Sequence, residues 1–260
     1  MPAVPVSLGP QPDRSIFAGT MVEMTWPEVE EAARRRDVVL LPVAIVEAHG
    51  PHMDLSPDVY LGYLYSRLLR QRLEAAGIRA VIAPPLYWGV SEDVKRYAGT
   101  FSIRPETMRA LLADVLASLG SWGFDRTFIV NSHGDRVHRA TITQAIRDLG
   151  EAPSLRVWDL GNLDVQVTGA PPYPAPRPGR FPEDYHAGAN ETACMNLFFP
   201  DRVDTALART LPPQRGWEPM PYYGDPASYH LERDVVAYYQ ADLETDVLKI
   251  QAVLRDAARP

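Results

Sequence analysis

The chain has 260 residues, which is enough for one sizeable domain or two small ones around a hydrophobic core. It carries 26 lysine and arginine residues against 33 aspartate and glutamate residues, a net charge of −7 at pH 7. An acidic surface repels phosphate backbones, so nucleic acid is not expected as a partner. The single cysteine, Cys194, excludes an intramolecular disulfide and a cysteine-rich zinc site, so any metal would need histidine and carboxylate ligands.

The beginning of the chain shows no targeting signal. Residues 1–12 lack the basic start and the apolar core of a signal peptide. No apolar stretch reaches the ~18 residues that a membrane span needs. We therefore expect a cytoplasmic protein with no membrane contact, in which residues 1–20 form an N-terminal arm and residues 21–260 a single domain.

Strands and helices are predicted to alternate along the chain. Thr25, Pro27 and Glu28 predict a capped helix start, and this helix should end near Arg36. The apolar run at 38–46 then predicts a strand buried on both faces. Further strands are predicted at 80–83, 127–130 and 155–158, and helices near 58–76, 105–120, 137–149, 191–198 and over the last ~30 residues. The alternation predicts an α/β fold with a mostly parallel sheet and helices on both faces.

One proline-rich segment interrupts this pattern. Residues 169–182 hold six prolines, which excludes a helix or a central strand there. The segment is either a domain linker or a long ordered loop. We favour the loop, placed beside the functional site, because the residues that follow it carry chemical groups.

The first group of candidate site residues follows the strand predicted at 38–46. Glu47 and His49 are two residues apart, so their side chains project the same way from the end of this strand. Ligands bind at the carboxyl ends of parallel strands, and Asp58 opens the next helix with its carboxylate free to turn back. Carboxylates with an imidazole suit Zn²⁺ or Mn²⁺. The competing interpretation makes Asp58 a helix cap and Glu47 a salt-bridge partner.

Two further groups repeat this chemistry. His133 and Asp135 follow the strand predicted at 127–130, again two residues apart. His186 and Glu191 follow the proline-rich segment and lead into a helix. Each has an ordinary structural interpretation, since loop histidines are commonly hydrogen-bonded and acidic residues favour a first helical turn. Two such strand ends in one chain favour a shared site.

Together the three segments resemble the creatininase (creatinine amidohydrolase) family. The family's first motif is Glu-x-His-Gly-x-His with an aspartate eleven residues after the glutamate, as Asp58 follows Glu47. Its second motif, Asn-Gly-His, is similar to residues 131–133, and its third, His-Ala-Gly-x-x-Glu-Thr, is matched by residues 186–192. The resemblance covers residues 20–230, approximately.

The resemblance implies a three-layer α/β/α sandwich and hydrolysis of amides or cyclic amides. It also implies a homo-oligomer, often a hexamer, and two divalent metal ions in each subunit, with zinc or manganese favoured over iron. Carried over residue by residue, Glu47 and His133 would hold one ion and His49 the other, while Asp58 would bridge them. The water that these ions activate would attack the substrate carbonyl.

The resemblance leaves the last metal ligand open between Asp135 and Glu191, because this chain carries both acids. His186 or Glu191 would protonate the leaving amine, and His186 is favoured because a metal-bound glutamate is a poor proton carrier. Ser132 stands where relatives usually have glycine, which puts the substrate in doubt more than the activity. Tyr87, Trp88 and Tyr185 are candidates for an aromatic wall over a planar substrate.

Three functions therefore compete. The first is cleavage of a C–N amide bond in a small molecule, such as a cyclic amide, lactam or formamide. The second is a metallopeptidase that trims a short modified peptide in a biosynthetic pathway. The third is a non-catalytic member of the family, which is disfavoured because every expected ligand type is present.

Overall fold

The computed structural model describes residues 8–11, 15–150, 155–175, 177–179 and 181–256. Its helices and strands, in chain order, are α1 (Trp26–Arg34), β1 (Val38–Val43), α2 (Pro57–Ala75), β2 (Ala80–Ile82), α3 (Pro105–Ser121), β3 (Arg126–Asn131), α4 (Arg136–Asp148), β4 (Arg156–Asp159), α5 (Ala189–Phe198), α6 (Thr205–Ala208) and α7 (Val235–Asp256). Short 3₁₀ helices lie at Met21–Glu23, Leu160–Asn162, Pro200–Arg202 and Pro226–Leu231. No helix in the described part of the chain is long and apolar enough to cross a membrane.

The four strands form one parallel sheet in the order β2-β1-β3-β4. The chain runs from β1 to β2 in one direction and then crosses back to β3 on the other side of β1. The strand order therefore reverses between β1 and β3, and their carboxyl ends lie side by side, with Val43 paired to Asn131. In parallel α/β sheets, such a reversal opens the crevice in which ligands bind.

The hydrophobic core is divided between the two faces of the sheet. Val38 and Leu40 of β1 face a cluster built with α2, α5 and α7. Val39 and Leu41 face the opposite cluster, built with α1, α3 and α4. Alternate residues of one buried strand thus enter different cores, which explains why the whole run is apolar. The predicted parallel sheet with helices on both faces is confirmed.

The element boundaries differ from the predictions in small ways. Helix α1 has the predicted capping box of Thr25 and Glu28 but ends at Arg34, and Arg36 turns the chain with a φ of 61°. Beyond β1 the chain stays extended to Val46, whose backbone N–H donates to Tyr87 O at 3.3 Å. The loop after β2 therefore continues the pairing that the sequence predicts as strand. The carboxyl-terminal residues form one long helix, α7.

Part of the predicted N-terminal arm packs against α2. Residues 1–7 and 12–14 lie outside the described residues. Within residues 15–20, Gly19 O accepts a hydrogen bond from Arg70 Nη1 at 2.6 Å, and Ala18 O accepts one from the Tyr63 hydroxyl. These contacts place the segment before α1 on the helix that carries Asp58.

A close contact sets the position of α2 against the end of β3. A Cβ atom on Gly62 would lie 2.3 Å from Ser132 Oγ, which donates to Asp58 O at 2.7 Å. We expect Gly62→Ala to lower the free energy of unfolding by about 1–2 kcal/mol, because overpacking outweighs the gain in helix propensity. Urea denaturation measures this loss. In a Ser132→Gly background, Gly62→Ala should not lower the free energy of unfolding.

The matched control for this prediction is Gly120→Ala in α3. A Cβ atom there would meet Leu155 Cβ at 3.4 Å, an ordinary contact. This variant should be as stable as the wild type or more stable, since alanine favours a helix over glycine. Equal losses at the two glycines would show that the Ser132 contact is not the cause.

The contact between α2 and α7 contains a buried carboxyl group. Asp246 is 7% exposed, and its Oδ2 accepts a hydrogen bond from the Tyr65 hydroxyl at 2.7 Å. Burial raises the pKa of Asp246 from 3.8 to about 6, even though the Tyr65 hydrogen bond and Lys249 act to lower it. The folded state therefore favours the neutral carboxyl, and the stability that this preference contributes is lost as the pH rises through 6.

We expect Asp246→Asn to gain stability relative to the wild type between pH 4 and pH 8. The gain should be up to about 3 kcal/mol, because a pKa difference of about two units corresponds to that amount. Urea denaturation of both proteins at pH 4, 6 and 8 measures it. Glu244→Gln, an exposed change on the same helix, should show no such trend. A stability difference that does not vary with pH would contradict the assignment.

Candidate metal centre

Six side chains from separate segments meet where the strand order reverses. Glu47 and His49 follow β1, and His133 follows β3. Asp58 lies in the first turn of α2, where the helix dipole favours its negative charge. The other two are His186 and Glu191; His186 precedes α5 and Glu191 lies in its first turn. The fold thus brings together residues up to 144 positions apart in the sequence, counting from Glu47 to Glu191.

The ligand atoms form three overlapping groups, each within 4.8 Å, that could hold a metal ion. The first comprises Glu47, Asp58 and His133; His133 Nδ1 lies 3.2 Å from Glu47 Oε1 and 2.9 Å from Asp58 Oδ2. The second comprises His49, Asp58 and Glu191; His49 Nε2 lies 3.4 Å from Asp58 Oδ1 and 3.7 Å from Glu191 Oε2. Bonds of about 2.1 Å in a tetrahedral site place ligand atoms roughly 3.4 Å apart, which these separations match.

Asp58 belongs to both of these groups. Its Oδ1 faces His49 and its Oδ2 faces His133. A carboxylate with one oxygen in each group has the geometry of a bridge between two ions. The third group joins Glu47 and His49 to His186, whose Nδ1 lies 3.6 Å from Glu47 Oε1.

The three histidines share one arrangement. In each ring one nitrogen contacts a backbone carbonyl: His49 Nδ1 lies 3.1 Å from Glu47 O, His133 Nε2 lies 3.0 Å from Val90 O, and His186 Nε2 lies 2.9 Å from Ala48 O. That nitrogen must carry the hydrogen, because a carbonyl can only accept. The other nitrogen then points its lone pair into the cluster. Metal-binding histidines are typically held in this way.

Four polar atoms inside the cluster lack hydrogen-bond partners. Glu47 is 1% exposed, His49 0% and Asp58 4%. Both oxygens of Glu47, Nε2 of His49 and Oδ2 of Asp58 are buried and accept or donate no hydrogen bond. Buried polar atoms of this kind are costly and rare in folded proteins. A cation would satisfy all four atoms together, so the donor set fits divalent metal ions.

The electrostatics of the cluster also favour a cation. Burial disfavours the charged form of His49, but the Asp58 carboxylate outweighs it and raises the pKa of His49 to about 10. Burial is likewise overcome at His133, whose pKa is raised well above 6.5 by Asp58 and Glu47. Protons and metal ions compete for these nitrogens. We therefore expect metal affinity to fall as the pH is lowered.

Asp135 is held outside this cluster. Its Oδ1 accepts hydrogen bonds from the backbone N–H groups of Val137 and His138 at 2.7 and 3.0 Å, which caps α4. Its Oδ2 accepts from the N–H of Glu92 at 2.9 Å. Burial opposes the charged form of Asp135, but these backbone hydrogen bonds outweigh it and lower the pKa of its carboxyl. Both oxygens are therefore engaged with the backbone.

Glu191 is turned toward the cluster by its own helix. Its Oε2 accepts a hydrogen bond from the N–H of Ala187 at 2.5 Å, just before α5 begins. Ala187 has a φ of 49° and is fully buried, so the chain turns tightly at this point. The same oxygen lies 3.7 Å from His49 Nε2. Of the two acids that the sequence leaves as alternatives, Glu191 is the one that the fold brings to the metal groups.

One aromatic ring at the site is not singled out by the sequence. The rings of Tyr87 and Trp88 are tilted by 52° with centroids 5.3 Å apart, and Tyr185, which is 68% exposed, packs edge-on against Tyr223 with centroids 4.9 Å apart. The ring that packs on His186 is Trp217, at 5.6 Å, with Tyr223 at 5.6 Å behind it. Trp217 lies in an irregular loop about 30 residues beyond His186, and no periodicity or spacing marks it in the sequence.

Asn131 and His138 support the position of His133, although sequence reasoning assigns no role to either. Asn131 Oδ1 accepts from the N–H of His133 at 3.2 Å, and its Nδ2 donates to His133 O at 2.8 Å. His138 Nε2 donates to the same Asn131 Oδ1 at 3.1 Å. Burial lowers the pKa of His138 to about 3, so it stays neutral and can fill this role. Asn131 is marked in the sequence by its place in the second motif, whereas His138 has no signal beyond its proximity to His133.

Comparison with known proteins points to the same family as the three motifs. The family model for creatinine amidohydrolase matches residues 22–257. A creatinine amidohydrolase from Pseudomonas putida is 28% identical over 77% of this chain and 78% of its own length. A mycofactocin precursor peptide peptidase from Mycobacterium ulcerans is 31% identical over 48% of this chain, and the match spans only 46% of that protein.

Solved structures agree with the family model. A crystal structure of creatinine amidohydrolase has a TM-score of 0.61 and 24% identity, and the match covers 95% of this chain and all of the other. A creatininase described with manganese has the same score and identity over 93% of this chain and 99% of that one. At this identity the structures show the fold alone. The predicted family is confirmed: the chain belongs to the creatininase (creatinine amidohydrolase) family.

Proposed function

We propose that this chain is a metal-dependent amidohydrolase that cleaves a C–N amide bond in a small molecule. The observation that carries the proposal is the buried cluster of unpaired ligand atoms at the β1–β3 reversal. In this proposal Glu47, Asp58 and His133 hold one divalent ion, and His49, Asp58 and Glu191 hold a second. A bound divalent ion supplies Lewis acidity, which lowers the pKa of water toward about 7 and polarises a carbonyl oxygen.

His186 is proposed as the proton carrier for the leaving amine. Its Nε2–H is held by Ala48 O, so proton exchange takes place at Nδ1, the nitrogen that faces the cluster. The ring of Trp217 lies 5.6 Å from that of His186, and His186 is buried, so little water reaches it. Glu191 lies 4.0 Å from Nδ1 but already accepts a backbone hydrogen bond, so it is the poorer proton donor.

Zinc and manganese are the proposed ions, and a homo-oligomer is the proposed assembly. Histidine and carboxylate ligands suit both metals. One related creatininase structure is described with manganese and another as a Zn–Zn form. The oligomer rests on family membership alone, and sedimentation of the purified protein tests it.

We expect His186→Ala to lower kcat/KM by a factor of ~10² to 10⁴, the usual contribution of a general acid, while metal content stays unchanged. The assay uses creatinine, a lactam, a formamide and a short peptide amide, before and after chelation and metal return. Loss of metal in this variant would instead make His186 a ligand, as its place in the third group allows. Hydrolysis that survives complete chelation would refute metal dependence.

A second candidate function is trimming of a short modified peptide. It is favoured by the similarity to mycofactocin precursor peptide peptidases, two of which are 31% and 32% identical over the matched regions. A dependence of kcat/KM on the number of residues beyond the cleaved bond separates a peptidase from a small-molecule hydrolase. The same cluster would perform the chemistry in either case.

A further inference from the structure

A cavity of about 450 Å³ lies beside the metal groups, between α2, α5, α7 and the proline-rich segment. Glu191 forms one part of its wall, together with Asn131 and Ser132 from the end of β3. Tyr173 of the proline-rich segment, 48% exposed, also lines it. The cavity is therefore lined both by the proline-rich segment and by a residue of the metal groups.

The part of the cavity lining contributed by α2, α7 and Tyr173 is aromatic and acidic. Tyr65 and Tyr173 donate hydrogen bonds to two carboxylates of α7: Tyr65 to Asp246 Oδ2 at 2.7 Å, and Tyr173 to Asp242 Oδ1 at 3.0 Å. The rings of Tyr173 and Tyr238 lie 5.4 Å apart, so aromatic faces accompany the carboxylates. Carboxylates beside aromatic faces are a common setting for a bound ammonium group.

The charges in this wall are not balanced. Glu191, Asp242 and Asp246 line the cavity, and the only lining cation among the described residues is Lys249. Lys249 Nζ lies 3.3 Å from Asp246 Oδ1 and forms a salt bridge with it. Asp242 has no salt bridge among the described residues; its described partners are the neutral hydroxyls of Tyr173 and Tyr65. One cation brought by a ligand would compensate Asp242.

We propose that this cavity binds a protonated amine of the substrate, held by Asp242 and the surrounding tyrosines, while the amide to be cleaved lies at Glu191. This inference rests on the proposed function, because it gives the substrate of the same centre its chemical class: an amide that carries an alkylammonium group. Tyr173 gives the proline-rich segment a role, since it positions the Asp242 carboxylate from outside the sheet.

Binding of three matched amides to the full-length purified protein tests this inference. 4-Aminobutanamide carries an ammonium group where pentanamide carries a methyl group, and glutaramate carries a carboxylate there. Isothermal titration should show 4-aminobutanamide binding at least ten-fold more tightly than pentanamide, and glutaramate more weakly than either. Equal affinity for the first two amides would overturn the inference.

Variants of Asp242 show whether the preference arises at this wall. Asp242→Asn should reduce the ammonium preference to less than three-fold, Asp242→Glu should keep it, and Glu244→Gln, exposed on the same helix, should leave it unchanged. Unchanged pentanamide affinity in Asp242→Asn shows that the cavity is intact. A ten-fold preference that survives Asp242→Asn would refute the assignment.

Metal content and hydrolysis, measured on the same samples, separate this inference from the proposed function. An ammonium preference that depends on Asp242, in a protein without metal or activity, would refute the hydrolase and keep the amine site. Two bound ions and amide hydrolysis without any ammonium preference would refute the amine site alone.

Discussion

Asp58→Asn is expected to remove both metal ions and to lower kcat/KM by at least ~10³, the equivalent of several kcal/mol of transition-state stabilisation by the metals. The reason is the position of Asp58, whose two oxygens face His49 at 3.4 Å and His133 at 2.9 Å. An asparagine has one oxygen and one NH₂ group, so it cannot accept a cation on both sides. Mass spectrometry of the metals and steady-state kinetics measure the two losses.

The control for this prediction is Asp54→Asn, four residues earlier in the same segment. Asp54 lies outside the metal groups. Its Oδ2 accepts a hydrogen bond from Arg202 Nη1 at 2.6 Å, and its Oδ1 accepts one from the N–H of Ser56 at 3.0 Å. This variant should keep both ions and most of the activity. If Asp58→Asn retains both ions, Asp58 is only a first-turn carboxylate of α2 and the bridging role is excluded.

Glu191→Gln is expected to weaken binding of the second ion by at least ~100-fold, whereas Asp135→Asn should leave both ions in place. Substitutions around metal sites commonly cost 10- to 100-fold even when they spare the ligands themselves, so loss of a ligand should cost more. A glutamine at 191 can still accept the hydrogen bond from the Ala187 N–H, so the start of α5 should be preserved. Titration of the metal-free protein with Mn²⁺ measures the two sites.

Asp135→Asn is the matched acid-to-amide change for this comparison. Its cost should be in stability, by about 1 kcal/mol, because the amide group cannot accept the N–H of Glu92 while its oxygen caps α4. Thermal unfolding shows that cost. The opposite outcome, loss of an ion in Asp135→Asn and none in Glu191→Gln, would make Asp135 the ligand.

The elements of the fold were predictable because burial on both faces leaves a simple pattern. The run at 38–46 is apolar since alternate residues enter two different cores, and the capping box of Thr25 and Glu28 marks its helix directly. The end of the first strand was less predictable. Its last residues pair with a loop through Tyr87 O, and an irregular partner leaves no periodic signal.

The metal groups were predictable at residues whose spacing is local. Glu47 and His49 follow one strand and His133 follows its neighbour, so the parallel sheet alone brings them together. The choice between Asp135 and Glu191 depended on which backbone N–H groups donate hydrogen bonds to each carboxylate. These contacts form only in the folded protein. Trp217 was missed for the same reason, because only the folded loop brings it to His186.

The wall formed by Asp242, Asp246 and the tyrosines was also beyond sequence reasoning. The sequence predicts helix over the last ~30 residues, and no motif or spacing in it marks Asp242 or Asp246. In the structure Tyr65 of α2 and Tyr173 of the proline-rich segment cover these carboxylates and enclose the cavity. The contacts join segments that are 69 residues or more apart.

Anomalous scattering from crystals of the purified protein, recorded at the zinc and manganese absorption edges, tests the central claim most directly. We predict two peaks in each chain, one among Glu47, Asp58 and His133 and one among His49, Asp58 and Glu191. No peak among these residues in crystals grown with excess zinc or manganese, with the carboxylates hydrogen-bonded to protonated histidines instead, would contradict the account.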